Sequence, residues 1–139
     1  MANNPYQKYK STQVETASQE KLLIMLYNGA IKFTKQAKTG IEEENYELVN
    51  NGLGRVQAII TELRTTLDQE KVGEIAQNMD ALYENMNRRL IEANVEKDIK
   101  PIEEVLDMLI ELKGTWQQAI EKVKSNNQSS KDGGVSIER

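Results

Sequence analysis

The sequence predicts an all-α protein, an antiparallel up-down four-helix bundle with a short N-terminal arm or helix. Four segments carry apolar residues at alternating intervals of three and four, the connections between them are short and polar, and no segment sustains strand alternation. A chain of 139 residues suits one core. The expected division is an arm over 1–15, the bundle over 16–124 and a disordered tail over 125–139.

The arm is polar, with Tyr6, Tyr9 and Val14 as its sparse apolar series after Pro5. Two tyrosines so close together suit a segment that docks rather than one that stays solvated. The first long helix is expected to start at Thr16 to Ser18, where a hydroxyl can accept from an orphan amide, and to end at Thr39-Gly40 with glycine as a left-handed cap. Glu42-Glu43-Glu44-Asn45 then has capping character. The second helix places Val49, Leu53, Val56, Ile60, Leu63 and Leu67 on one stripe. Gly52 and Gly54 each cost it about 1 kcal/mol relative to alanine, so either another backbone approaches there or the helix tolerates the loss.

After Asp68-Gln69-Glu70-Lys71, a third helix carries Val72, Ile75, Met79, Leu82, Met86, Leu90 and Ala93, with Tyr83 beside the stripe and Arg88-Arg89 read as a solvated pair. Pro101 occupies a first-turn position of the fourth helix, whose arc comprises Ile102, Val105, Leu106, Leu109, Leu112, Trp116, Ile120 and Val123. From Ser125 the run Asn-Asn-Gln-Ser-Ser-Lys-Asp-Gly-Gly lacks periodicity, hence the expected disorder.

Composition narrows the chemistry. With 18 basic and 22 acidic residues the net charge is −4, which disfavours nucleic acid as a partner. There is no cysteine and no histidine, which removes the thiol and imidazole nucleophiles, the common zinc sites and the Glu-x-x-His pair of di-iron bundles. No carboxylate constellation replaces them, so no catalytic residue, metal site or cofactor is expected. No apolar run approaches the roughly 20 residues that span a bilayer, and Met1-Ala2-Asn3-Asn4-Pro5 lacks the pattern of a leader, so a cytoplasmic protein without stable membrane insertion is expected.

The most apolar stretch is Leu22-Leu23-Ile24-Met25-Leu26-Tyr27. At about 100° per residue, Leu22, Leu26, Gly29, Ala30, Phe33 and Ala37 share a face read as core, while Ile24, Tyr27 and Ile31 fall on another side of the helix. A second apolar stripe needs a second cover. The expected role is therefore an interaction protein that receives an amphipathic helix or extended chain; the alternative is a self-associating helical bundle, structural or adaptor in role.

Four separated segments sharpen this. Asn4-Pro5-Tyr6-Gln7-Lys8-Tyr9, Met25 through Phe33 (MLYNGAIKF), Met86 through Asn94 (MNRRLIEAN) and Thr115 through Ile120 (TWQQAI) together resemble the FliS family of flagellin-specific export chaperones, in order over roughly residues 4 to 124. Many members have proline just before the first long helix, where this chain reads Ser18-Gln19-Glu20. The resemblance implies a cytoplasmic, non-enzymatic chaperone that holds the disordered C-terminal segment of flagellin, prevents premature polymerisation and keeps it competent for export. Other implied partners are the export gate or further flagellar assembly factors, and the free form is a monomer or weak homodimer. On that basis Ile24, Tyr27, Ile31, Leu48 and Ile59 are expected to line the partner-binding groove, with Tyr6 and Tyr9 as a removable lid.

Overall fold

The computed structural model describes the backbone of residues 5–70 and 74–137 and the side-chain surroundings of residues 19–66 and 77–125. Four helices follow one another: α1 (Pro5–Glu42), α2 (Tyr46–Glu70), α3 (Glu74–Glu96) and α4 (Ile99–Ile137). The fold is an all-α four-helix bundle, with no strand among the described residues.

Two helices are longer than their periodicity suggests. α1 starts at Pro5 rather than at Thr16 to Ser18, so the segment expected as an arm continues into the first helix. Proline at the first position lacks only an amide that would be unsatisfied anyway, and Ser18-Gln19-Glu20 contains no proline to interrupt the run. α4 continues to Ile137, through the stretch expected to be disordered. Once a helix is nucleated each added residue costs little, and residues 125–137 contain no proline to stop it.

The chain forms two compact units. One is Met25–Ile110, which holds the later part of α1, all of α2 and α3 and the beginning of α4. Its core is Tyr27, Ala30 and Ala37 from α1, Val49, Leu53, Val56, Ile60 and Leu63 from α2, Tyr83, Met86, Leu90 and Ala93 from α3, and Ile102, Val105, Leu106 and Leu109 from α4. Over the described residues the stripes read for α2, α3 and the first half of α4 are thus the core faces, with Met79 and Leu82 half-buried at the start of α3; Leu67, Val72 and Ile75 lie outside the residues whose side chains are described. The other unit combines α1 up to Ile24 with α4 from Glu111. There Trp116 and Ile120 are half-buried and Val123 is 52% exposed.

The two short turns share one construction. After α1, Glu44 has a φ of 55°, the Asn45 amide donates to Gly40 O at 2.8 Å and the Glu44 amide to Ile41 O at 3.2 Å, which is a Schellman closure. After α3, Lys97 has a φ of 53° and the Asp98 amide reaches Ala93 O at 3.2 Å. In both turns the next residue caps the following helix: Asn45 Oδ1 accepts from Leu48 N at 3.1 Å, and Asp98 Oδ1 from Lys100 N at 3.1 Å. Gly40 is therefore not the left-handed cap. Its lack of a side chain serves the approach of α2, since a Cβ there would lie 2.8 Å from Val49 Cγ2 and 2.9 Å from Val49 N.

Gly52 has the same purpose and Gly54 does not. A Cβ on Gly52 would lie 2.9 Å from Phe33 O and 3.2 Å from Ala37 N, so α2 crosses α1 backbone to backbone at that point. A Cβ on Gly54 would meet nothing within 4 Å.

Candidate functional site

The α1 residues of Met25–Ile110 settle which face is core. Buried positions are Tyr27, Ala30, Thr34, Ala37 and Gly40, spaced by three, four, three and three, and the polar member Thr34 donates its hydroxyl to Ala30 O at 2.7 Å. Tyr27 is therefore no groove residue. It is 0% exposed, and its hydroxyl is hydrogen-bonded to that of Tyr83 on α3, itself buried. Conversely Leu22, expected in the core, is 52% exposed, and Met25 is 58% exposed. Leu26, Gly29, Phe33 and Ile31 are half-buried. The two apolar stripes are the margins of one broad arc centred on Tyr27 and Ala30. On one margin Gly29 meets Ile59 of α2, and on the other Lys38 pairs with Glu103 of α4 at 3.4 Å.

The other expected groove residues separate. Ile31 and Leu48 are half-buried in Met25–Ile110, and Ile59 packs so near α1 that a Cβ on Gly29 would lie 3.2 Å from its Cδ1. Ile24 lies in the other unit, where it lines an open groove of about 630 Å³ with Gly114, Gln117, Gln118, Ile120, Glu121 and Lys124 of α4. Ile24 is half-buried beside a wall of α4 that the sequence reading does not include, and Gly114 gives no distinct signal for that wall, since a Cβ there, like one on Gly54, would meet nothing within 4 Å. Tyr6 and Tyr9 lie outside the residues whose side chains are described.

Chemically the groove presents apolar, amide and charged groups side by side. Ile24 and Ile120 supply apolar contact, Gln117 and Gln118 carry amides that donate and accept, and Glu121 and Lys124 contribute one charge of each sign. Among the described residues no group of three or more Asp, Glu, His or Cys side chains is arranged to hold a metal ion, and no helix is long and apolar enough to cross a membrane.

The marked electrostatic perturbations belong to ties between helices. Arg64 of α2 grips Asp80 of α3 through Nε at 2.7 Å and Nη2 at 3.2 Å, and these hydrogen bonds hold the Asp80 carboxyl below its ordinary range. Arg89 of α3 bonds Glu104 of α4 through Nη2 at 2.6 Å and also Glu92, and the Glu104 bond foremost raises its already high pKa. Of the pair read as solvated, Arg88 is exposed beside Glu84 while Arg89 fastens α3 to α4.

Comparison with known proteins places the chain in a family. The family model described as flagellar protein FliS matches residues 2–123. The chain belongs to the FliS family. Relatives within FliS include the flagellar secretion chaperone FliS of Bacillus subtilis, 36% identical over 132 residues that cover 95% of this chain and 96% of the relative. The flagellar secretion chaperone FliSB of Pseudomonas aeruginosa is 38% identical, covering 75% of this chain and 82% of its own length. The FliS of Salmonella typhimurium is likewise 38% identical, over 76% of this chain and 78% of the relative. The MLYNGAIKF segment contains the α1 core residues Tyr27 and Ala30, so part of that family-like signature reports packing and not ligand contact.

Proposed function

We propose that this FliS-family chain is a cytoplasmic chaperone of flagellar secretion, without catalytic activity, which binds the disordered C-terminal segment of flagellin and so delays its polymerisation until export. The observation that carries the reading is the open groove beside Ile24, taken with relatives named flagellar secretion chaperones over nearly the whole chain. A client that is disordered when free must order on binding, at a cost of several kcal/mol, so it needs apolar anchors together with polar groups that meet its main chain. Ile24 and Ile120 are suited to the first task and Gln117 and Gln118 to the second. The open space over Gly114 lets a backbone come close.

The test is titration with a synthetic peptide of the flagellin C-terminal segment from the same organism. Ile24→Asp is expected to weaken binding at least about tenfold, since a carboxylate desolvated in the groove is worth more than 1.4 kcal/mol. The thermal melt should change little, because Ile24 is only half-buried. A wild-type protein that does not bind the peptide overturns the proposal, and a variant that binds normally removes Ile24 from the site.

A further inference from the structure

On Met25–Ile110, one exposed surface is not explained by the core or by the interhelix ties. Along α1, Met25, Gly29 and Phe33 are four residues apart and share a face, a strip of about 12 Å at the helical rise. Met25 is exposed and Phe33 half-buried, and Ile59 of α2 forms the floor against Gly29. At the Phe33 end two cations approach the same ring: Arg55 Cζ lies 5.0 Å and Lys32 Nζ 5.6 Å from its centroid. Arg55 donates from Nε to Asn51 Oδ1 at 3.4 Å, and among the described residues neither cation takes part in an ion pair.

We infer that the Met25–Phe33 strip receives an acidic amphipathic helix of the client, its apolar side chains on the strip and a carboxylate between Lys32 and Arg55. The inference rests on the flagellin reading for the identity of the client. Charge complementarity selects the occupant. The chain as a whole carries net charge −4 and would repel an acidic partner, yet here two positive groups gather at an apolar strip, and among the described residues no carboxylate pairs with either within 4 Å. The ring holds each cation by its quadrupole, which keeps both near apolar surface where an incoming carboxylate is less screened than in open solvent. The length of the strip matches two turns of helix, and the furrow between α1 and α2 fits a third helix as ridges fit grooves.

The experiment compares wild type, the double variant Lys32→Glu/Arg55→Glu, and Lys35→Glu as an exposed control on the same helix, each titrated calorimetrically with the flagellin C-terminal peptide at about 0.05 M and about 0.5 M NaCl. The double variant should bind at least about tenfold more weakly at low salt and lose most of the salt dependence, while Lys35→Glu changes affinity less than about twofold. Phe33→Leu, which keeps an apolar side chain but removes the ring, should give an intermediate loss. Unchanged affinity in the double variant while wild type binds overturns this inference and leaves the flagellin reading standing. No binding by wild type overturns both. Concentration-dependent sedimentation that the double variant abolishes would make a second copy the occupant, and also overturns it.

Discussion

Replacing either tyrosine of the Tyr27–Tyr83 pair by phenylalanine deprives a buried hydroxyl of this hydrogen bond, at an expected cost of about 1 to 2 kcal/mol. The double variant Tyr27→Phe/Tyr83→Phe should cost less than the sum of the two, because no hydroxyl then remains to be desolvated, and a double-mutant cycle in urea measures that difference. The glycines of α2 give an opposed pair at the same scale. Gly54→Ala should stabilise by about 0.5 to 1 kcal/mol, since its Cβ enters open space and the backbone gains helix propensity. Gly52→Ala should destabilise by about 1 to 3 kcal/mol despite the same propensity gain, because its Cβ meets main-chain atoms of α1 that cannot turn aside. Thermal melts of the two variants should therefore move in opposite directions. The sequence shows both as helical glycines without distinguishing them, since what separates them is whether another helix crosses there.

Among the helices, Arg64–Asp80 ties α2 to α3 through side chains that are 34% and 40% exposed. Solvent screening limits its worth to about 0.5 kcal/mol. Its pH dependence has a definite sign. The folded state lowers the Asp80 pKa, so the contribution is fully present above the ordinary aspartate range and is lost as pH falls through the lowered value. Asp80→Asn should thus lower the melting temperature by about 1 to 2 °C at pH 7 and by much less at a pH below both values, with the difference shrinking in high salt. The turns explain another gap between pattern and fold. Glu44 and Lys97, the left-handed residues, are side chains that ordinarily avoid that conformation, so glycine counting assigned the cap to Gly40. Of the caps that follow them, Asn45 is legible in its acidic, turn-like run and its side chain caps α2, while Asp98 is not marked out by the pattern.

For the molecule as a whole, helix number, order and the core faces of α2 and α3 follow from residues three and four apart, because an amphipathic stripe can be buried only one way round. The ends of α1 and α4 do not follow, since polar sequence permits helix or coil with little difference in local free energy. If the first residues cover a partner surface, deleting 1–15 should raise affinity for the flagellin peptide, and unchanged or weaker affinity would remove Tyr6 and Tyr9 from any lid. The residues expected to line one groove take different places in the fold. Ile24 lines a groove, Ile31, Leu48 and Ile59 remain half-buried, and Tyr27 belongs to the core.

That last displacement marks the boundary between the two kinds of information. By itself the sequence determined the all-α bundle, the absence of histidine and cysteine chemistry, the membership that its separated segments signal, and the unusual breadth of the apolar arc on α1. Which part of that arc is central was decided by tertiary structure alone. Gly29 and Gly52 let α2 close on one margin, Lys38 meets Glu103 of α4 on the other, and Tyr83 supplies the hydroxyl that makes a buried Tyr27 tolerable. A helical wheel contains none of these neighbours, and a broad apolar arc has no centre until they pack against it.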